Sequence, residues 1–172
     1  MALDRTNMVS LLDIGKWLDG STSELTMMGD GYNELTEEWG PDFISTKYVN
    51  MKTASSTLNG YEFSMTAERE HLSDTMQTKI NEAFRKLPTG TAAETEYVRF
   101  YKTDIVFGET TATGPAIKIP VTVGPSSTGG SANDPLSSAI EIHGNGDVVQ
   151  GTITIASDGK YTFVPGAEPE EP

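Results

Sequence analysis

The 172-residue sequence contains no cysteine, so neither a disulfide nor a thiolate zinc site can hold it together, and packing or assembly must do so. Basic residues are scarce: 12 Lys and Arg stand against 25 Asp and Glu, a formal charge of −13. A phosphate backbone needs a positive footprint, so this balance opposes tight nucleic-acid binding, and it disfavours anionic membranes on the same ground. Long apolar runs are missing too. Met8–Ile14, the nearest approach, is interrupted by Ser10 and Asp13 and lacks a small-residue cleavage pattern, so it reads as neither a signal peptide nor a membrane span. His71 and His143 stand alone, without metal-ligand spacing, and no GxSxG, phosphate-cradling or HExxH motif is present. Asp30–Glu38 is acidic but lacks the alternating oxygen ligands of a calcium loop. An enzyme is therefore a weak hypothesis, and no cofactor is expected.

Glycine, by contrast, is plentiful at 17 residues, and the apolar runs are short and broken by Gly, Pro, Asn or Ser. That pattern predicts a mainly β chain. Its length suits one domain, expected over residues 1–165, with an acidic tail at 166–172 expected to be disordered. The organising stretch is Gly60–Phe107. It opens on a strand whose residues Tyr61, Phe63, Met65 and Ala67 face one way while Glu62, Ser64, Thr66 and Glu68 face the other. A helix over Asp74–Leu87 follows, with Met76, Ile80, Ala83, Phe84 and Leu87 on one face to cover a sheet. Asp74 is its N-cap, Gln77 completes a capping-box-like pair, and Pro88 and Gly90 stop it. The next strand, Tyr97–Phe107, is apolar on both faces. It therefore needs a second covering surface, for which another copy of the chain is a candidate.

Elsewhere, Met8–Gly15 and Glu24–Met28 read as strands, and Glu34–Trp39 and Phe43–Val49 read as a hairpin about Gly40-Pro41-Asp42. Gly108–Gly114 reads as a hairpin tip. Ile117, Ile119, Val121 and Val123 then alternate, with Pro120 predicting an edge position or a bulge because it has no amide donor. Gly124–Ser137 has no periodicity and reads as a long loop. Strand-like runs resume over residues 139–143, 148–156 and 160–165, with hairpin turns at Asn145-Gly146 and Asp158-Gly159.

The segment Lys47-Tyr-Val-Asn-Met-Lys-Thr-Ala-Ser-Ser-Thr-Leu-Asn-Gly-Tyr61, followed by Phe63-Ser-Met-Thr-Ala-Glu-Arg-Glu70, resembles the tail tube proteins of long-tailed bacteriophages. So do the helix exit Lys86–Gly90 and the ordered series Gly129-Gly130, Asp134-Pro135-Leu136, Ile142-His143, Gly146-Asp147, Gly151 and Tyr161-Thr162-Phe163. The resemblance spans roughly Met8–Pro165, and it is the order of these motifs that carries it. It implies a β-sandwich or barrel-like subunit with one flanking helix. Six such subunits would form a ring with an inter-subunit β-barrel, and the rings would stack into a tube around a tape-measure protein and, later, transiting DNA. Tail-tip and terminator proteins would be further partners, the virion the location, and the bacterial host cytoplasm the place of assembly. In that setting Glu62, Ser64, Thr66 and Glu68 are candidates for the lumen, and Gly124, Ser126, Gly129, Gly130 and Asp134 for contacts between rings. An acidic lumen would repel DNA and keep it mobile. The competing class is a surface-binding β-module such as an adhesin or carbohydrate binder, with Trp17 or Trp39 as a stacking platform.

Overall fold

A computed structural model describes residues 2–166, and the expected disordered tail lies, from residue 167 onward, outside the described residues. The strands are β1 (Met8–Asp13), β2 (Leu25–Met27), β3 (Pro41–Thr46), β4 (Ser55–Tyr61), β5 (Ser64–Glu70), β6 (Glu94–Tyr101), β7 (Val106–Phe107), β8 (Thr111–Gly129), β9 (Ser137–Gly144), β10 (Val149–Ala156) and β11 (Tyr161–Pro165); the α-helix, α1, is Thr75–Lys86. Every pairing among them is antiparallel. Six strands close a barrel in the order β1, β2, β11, β10, β8, β6 and back to β1. The weakest seam joins β11 to β2 through the single pair Tyr161↔Leu25.

β8 is long enough to serve two sheets. Its first part lies between β6 and β10, and its last part leaves β10 and pairs with β9, which in turn pairs with β5. Pro120 sits at the change of partner. Its carbonyl accepts from Asn145 N at 2.8 Å on the β9 side, so its missing donor points to the same side, into the gap between the end of β9 and the start of β10. The expected edge position is thus an edge on one side only, in the middle of a strand. A bulge occurs farther on, at Ser126, where the register shifts between Pro125 and Ser127.

Two cores share β1, β6 and β8 as a common wall. Val9, Leu11, Val98, Phe100, Ala116 and Ile153 fill the barrel, where small residues on β8 suit the narrow interior of six strands. A side chain at Gly114 would place its Cβ 2.6 Å from Ile105 Cδ1, so glycine there makes room for that plug. On the other side Leu12, Tyr97, Ile119, Val121 and Val123 join Ile140, Ile142, Phe63, Met65 and Ala67 beneath α1. This explains why the strand after the helix is apolar on both faces. For β6 the second surface is the barrel interior of the same chain, whereas the predicted strand breaks after Tyr101 and its last apolar residues, Val106 and Phe107, stay exposed in the separate strand β7.

Asp74 caps α1 by accepting from Gln77 N at 2.8 Å. Met76, Ile80 and Ala83 are buried and Phe84 is half-buried at the edge of the core. Leu87 corrects the expected face. It is 65% exposed, because it takes the left-handed C-cap position (φ 48°) and its N–H closes the helix on Ala83 O at 2.8 Å. A branched side chain in that conformation costs about 1 kcal/mol. Leu87→Gly is therefore expected to stabilise the fold by roughly 0.5–1 kcal/mol in urea denaturation.

Two further expectations change. The hairpin near Gly40 does not turn at Gly40-Pro41-Asp42: β3 pairs with β4, so the turn lies at residues 47–54, and residues 29–40 form an irregular strap across the core. The aperiodic stretch from Gly124 is not one long loop, because Gly124–Gly129 belongs to β8 and only residues 130–136 connect it to β9.

Candidate assembly surfaces

The outward face of β5 and β9 forms the floor of a trough of about 820 Å3. Register places Ser64 opposite His143, Thr66 opposite Glu141, Glu68 opposite Ala139 and Glu70 opposite Ser137. The strap supplies one wall through Gly31, Asn33, Glu34, Thr36 and Glu38, and the β8–β9 connection supplies the other through Gly130, Ser131, Asp134 and Pro135. Six carboxylates line it, from Glu34, Glu38, Glu68, Glu70, Asp134 and Glu141. Among its lining residues the only basic groups are His143, whose Nε2 lies 3.8 Å from Glu141, and Arg69, which is already engaged below the floor. Such a surface repels a polyanion. Among the described residues no cluster of His, Cys, Asp and Glu is arranged to hold a metal ion.

Of the predicted polar row, Ser64, Thr66 and Glu68 line this trough. Glu62 stands apart, before β5, where its N–H bonds to Trp39 O at 3.0 Å at the base of the β3–β4 pair. The predicted loop residues also divide. Gly130 and Asp134 form part of the trough wall, whereas Gly124, Ser126 and Gly129 are strand residues of β8.

Arg69 ties the trough together from beneath. It occupies the inward position after Phe63, Met65 and Ala67 and is buried, yet its guanidinium meets Asp74 through both terminal nitrogens at 2.9 and 2.7 Å. It also donates to Asp30 O at 2.9 Å and lies 5.2 Å from the Tyr32 ring centre. The Arg69 hydrogen bond holds the Asp74 carboxyl below its usual range against the opposing effect of partial burial. Burial pushes the Tyr32 hydroxyl up to about 12. A second anchor of the strap is Glu37, whose carboxylate lies 3.3 Å from Arg99 Nε; burial raises its pKa even against that cation.

The β3–β4 pair is a ribbon that projects from the body. Phe43 pairs with Leu58 and Pro41 with Tyr61, so these four share one face, and that face is bare. Tyr48 and Val49 extend the exposed apolar surface into the turn. Sequence periodicity does not reveal this surface, because the ribbon has no buried side to create an alternation. The stacking platform required by a carbohydrate binder does not form from the tryptophans: Trp17 is fully buried, and Trp39 packs against Phe63 with ring centres 4.9 Å apart.

No protein-family model and no curated protein matches the sequence. Solved structures do match the fold. A chain in the tail of an empty gene transfer agent particle, resolved with C6 symmetry, aligns over 86% of this chain and 97% of its own at a TM-score of 0.58 and 12% identity. A chain of the native gene transfer agent virion aligns over the same shares at 0.56 and 10% identity. The sheath/tube terminator assembly of an extracellular contractile injection system (PVC) gives 0.53 at 8% identity, over 87% of this chain and 96% of its own. The barrel with one flanking helix is thus a fold found in tail and tube assemblies.

Proposed function

We propose that this chain is the subunit of a bacteriophage-type tail tube, a structural rather than catalytic protein whose residues 1–165 act as one tail-tube-like domain. The carrying observation is the ribbon: a bare apolar face on a chain whose six-stranded barrel is already closed marks a surface made for another protein. The fold shared with tail and tube chains makes further copies of this chain the natural cover, and the sixfold symmetry of one matched tail supports a hexameric ring that stacks. Tape-measure, tail-tip and terminator proteins are the further partners of such a tube, the virion is its location, and the host cytoplasm is its place of assembly.

In this reading the trough face points into the lumen. Sixfold repetition turns Glu68 and Glu141 into rings of negative charge, which keep transiting DNA from adhering to the wall. Negative-stain imaging of concentrated protein tests assembly directly, with rings or tubes expected; a monodisperse monomer at every concentration would refute the reading. Glu68→Lys with Glu141→Lys tests the lumen. Tubes of this variant are expected to retain duplex DNA in a nuclease-protected form at low salt and to release it as salt rises. If the retained DNA is digested at once, this face lies on the outside.

A further inference from the structure

We infer that the β3–β4 ribbon of one copy docks on the β7 edge of a second copy, with Lys47 and Lys52 of the ribbon meeting Asp104 and Glu109 of the acceptor. The inference rests on the self-assembly proposed above and identifies the two surfaces that meet. Three observations lead to it.

The first is charge. Between Asp42 and Glu62 the chain carries two lysines and no carboxylate, within a protein of net charge −13. Neither lysine pairs with a carboxylate among the described residues. The helix is also rich in cations, but Glu82 lies 2.6 Å from Lys86 and 3.9 Å from Lys79, so that surface is partly neutralised. Two copies of an acidic chain repel, and the ribbon is where that repulsion becomes attraction.

The second is a matching acceptor. Val106 is 71% and Phe107 84% exposed, the most open adjacent pair of large apolar residues outside the ribbon, and both lie on a strand that among the described residues bonds only to β8. Asp104 and Glu109 flank them, exposed and without a cation partner among the described residues, although Lys102 is close in sequence. The ribbon thus offers apolar side chains with positive charge, and the β7 edge offers apolar side chains with negative charge. Each also has a strand edge that is unpaired among the described residues.

The third is position. The ribbon leaves the body beside Ser64, which aligns through His143 with Thr122 of β8, whereas β7 pairs with Ala112 and Thr113. Some ten residues of strand separate them, on the order of 30 Å. The two patches are therefore distinct surfaces of one copy. A contact between them is head-to-tail, which builds rings or open stacks instead of stopping at a twofold dimer.

Because the chain has no cysteine, single substitutions report cleanly on this contact. Leu58→Cys protein mixed with Phe107→Cys protein, concentrated and oxidised, is expected to give the mixed 58–107 dimer in excess of either homodimer. Phe43→Cys with Val106→Cys provides a second pair. A dominant 58–58 product would mean that ribbons pair with each other, and a 58–66 product with a Thr66→Cys chain would seat the ribbon in the trough; either overturns the inference while leaving tube formation intact. No assembly and no crosslink would refute both the inference and the tube reading. Lys47→Glu with Lys52→Glu is expected to weaken association about tenfold, a size set by the modest value of exposed ion pairs. Adding Asp104→Lys and Glu109→Lys to the same chain is expected to restore it, and failure of that charge swap in a chain with unchanged circular dichroism would overturn the pairing.

Discussion

Asp74→Ala is expected to destabilise the protein by about 3–4 kcal/mol, far more than the loss of an ordinary surface carboxylate. About 1 kcal/mol of this is the lost cap, since Asp74 accepts from Gln77 N at the start of α1. The larger part comes from Arg69. Its side chain is only 1% exposed, so without Asp74 a guanidinium remains buried with Asp30 O as its one hydrogen-bond acceptor among the described residues. Asp74 itself is 37% exposed, and solvent screening at that rim places the effect at the low end of the range for broken buried pairs. Two companion variants separate the terms. Asp74→Asn keeps a good cap and loses the charge, so it retains most of the cost, about 2–3 kcal/mol. Arg69→Met removes the buried charge together with its need for a partner and is expected to cost less than Asp74→Ala. Urea midpoints in the opposite order would show that the helix cap, not the ion pair, controls this corner.

The same pair sets a pH dependence whose sign is fixed. The folded state holds the Asp74 carboxyl below its unfolded value, so the contribution is fully present above the unfolded pKa, near 4, and is lost as pH falls through the lower folded value. The stability gap between the wild type and Asp74→Asn should therefore be constant near neutrality and narrow below about pH 4. A gap that widens on acidification would contradict the assignment.

How much of this was written in the residues depends on whether a side chain had to be buried on one side only. β5 and α1 are legible because each has one dry face: Phe63, Met65 and Ala67 alternate, and Met76, Ile80 and Ala83 repeat at helical spacing. The end of β8 is not, since Gly124–Gly129 is held by backbone bonds to β9 and its bulge leaves no pattern in the side chains. β6 is apolar on both faces for a reason that one strand cannot disclose, namely that its second face looks into a barrel closed by strands more than fifty residues farther along the chain. The trough is partly legible. Ser64, Thr66 and Glu68 follow from alternation, but Glu34, Glu38 and Asp134 arrive from the strap and a connection whose paths only tertiary packing decides. Arg69 did leave a signal. A cation stands where the alternation calls for an apolar residue, with a helix-capping carboxylate five positions on, and a charge in that place implies a buried partner.

Trp17→Ala is the other large effect, expected at about 3–5 kcal/mol, the usual cost of emptying a buried aromatic site. Trp17 is completely buried in the core beneath α1, and the segment around it is wound too tightly to collapse into the space left behind. Asp13 Oδ1 accepts from the amides of Gly15, Lys16 and Glu24, and its Oδ2 accepts from Ser23 Oγ at 2.6 Å. Leu18 and Asp19 are held at φ near 60°, and Leu18 N donates to Ala92 O at 3.0 Å. A Cβ on Gly15 would lie 1.9 Å from Thr22 O, and one on Gly20 would lie 1.6 Å from Gly15 O, so the backbone already fills its own space. The bulky Lys16-Trp17-Leu18 run thus has a structural role: it plugs the core at the end of β1. Trp17 Nε1 has no hydrogen-bond partner among the described residues, so Trp17→Phe loses packing without stranding an acceptor and should cost only about 1–2 kcal/mol. The damage should also be local. Trp17 belongs to the core under the helix, while β10 and β11 pack into the barrel through Ile153, Ile155, Tyr161 and Phe163. Hydrogen exchange in Trp17→Ala should therefore accelerate first in α1 and β5, with the amides of β10 and β11 protected longer. Equal loss of protection in all four elements would show that the two cores, despite their separate linings, unfold as one unit through the wall they share.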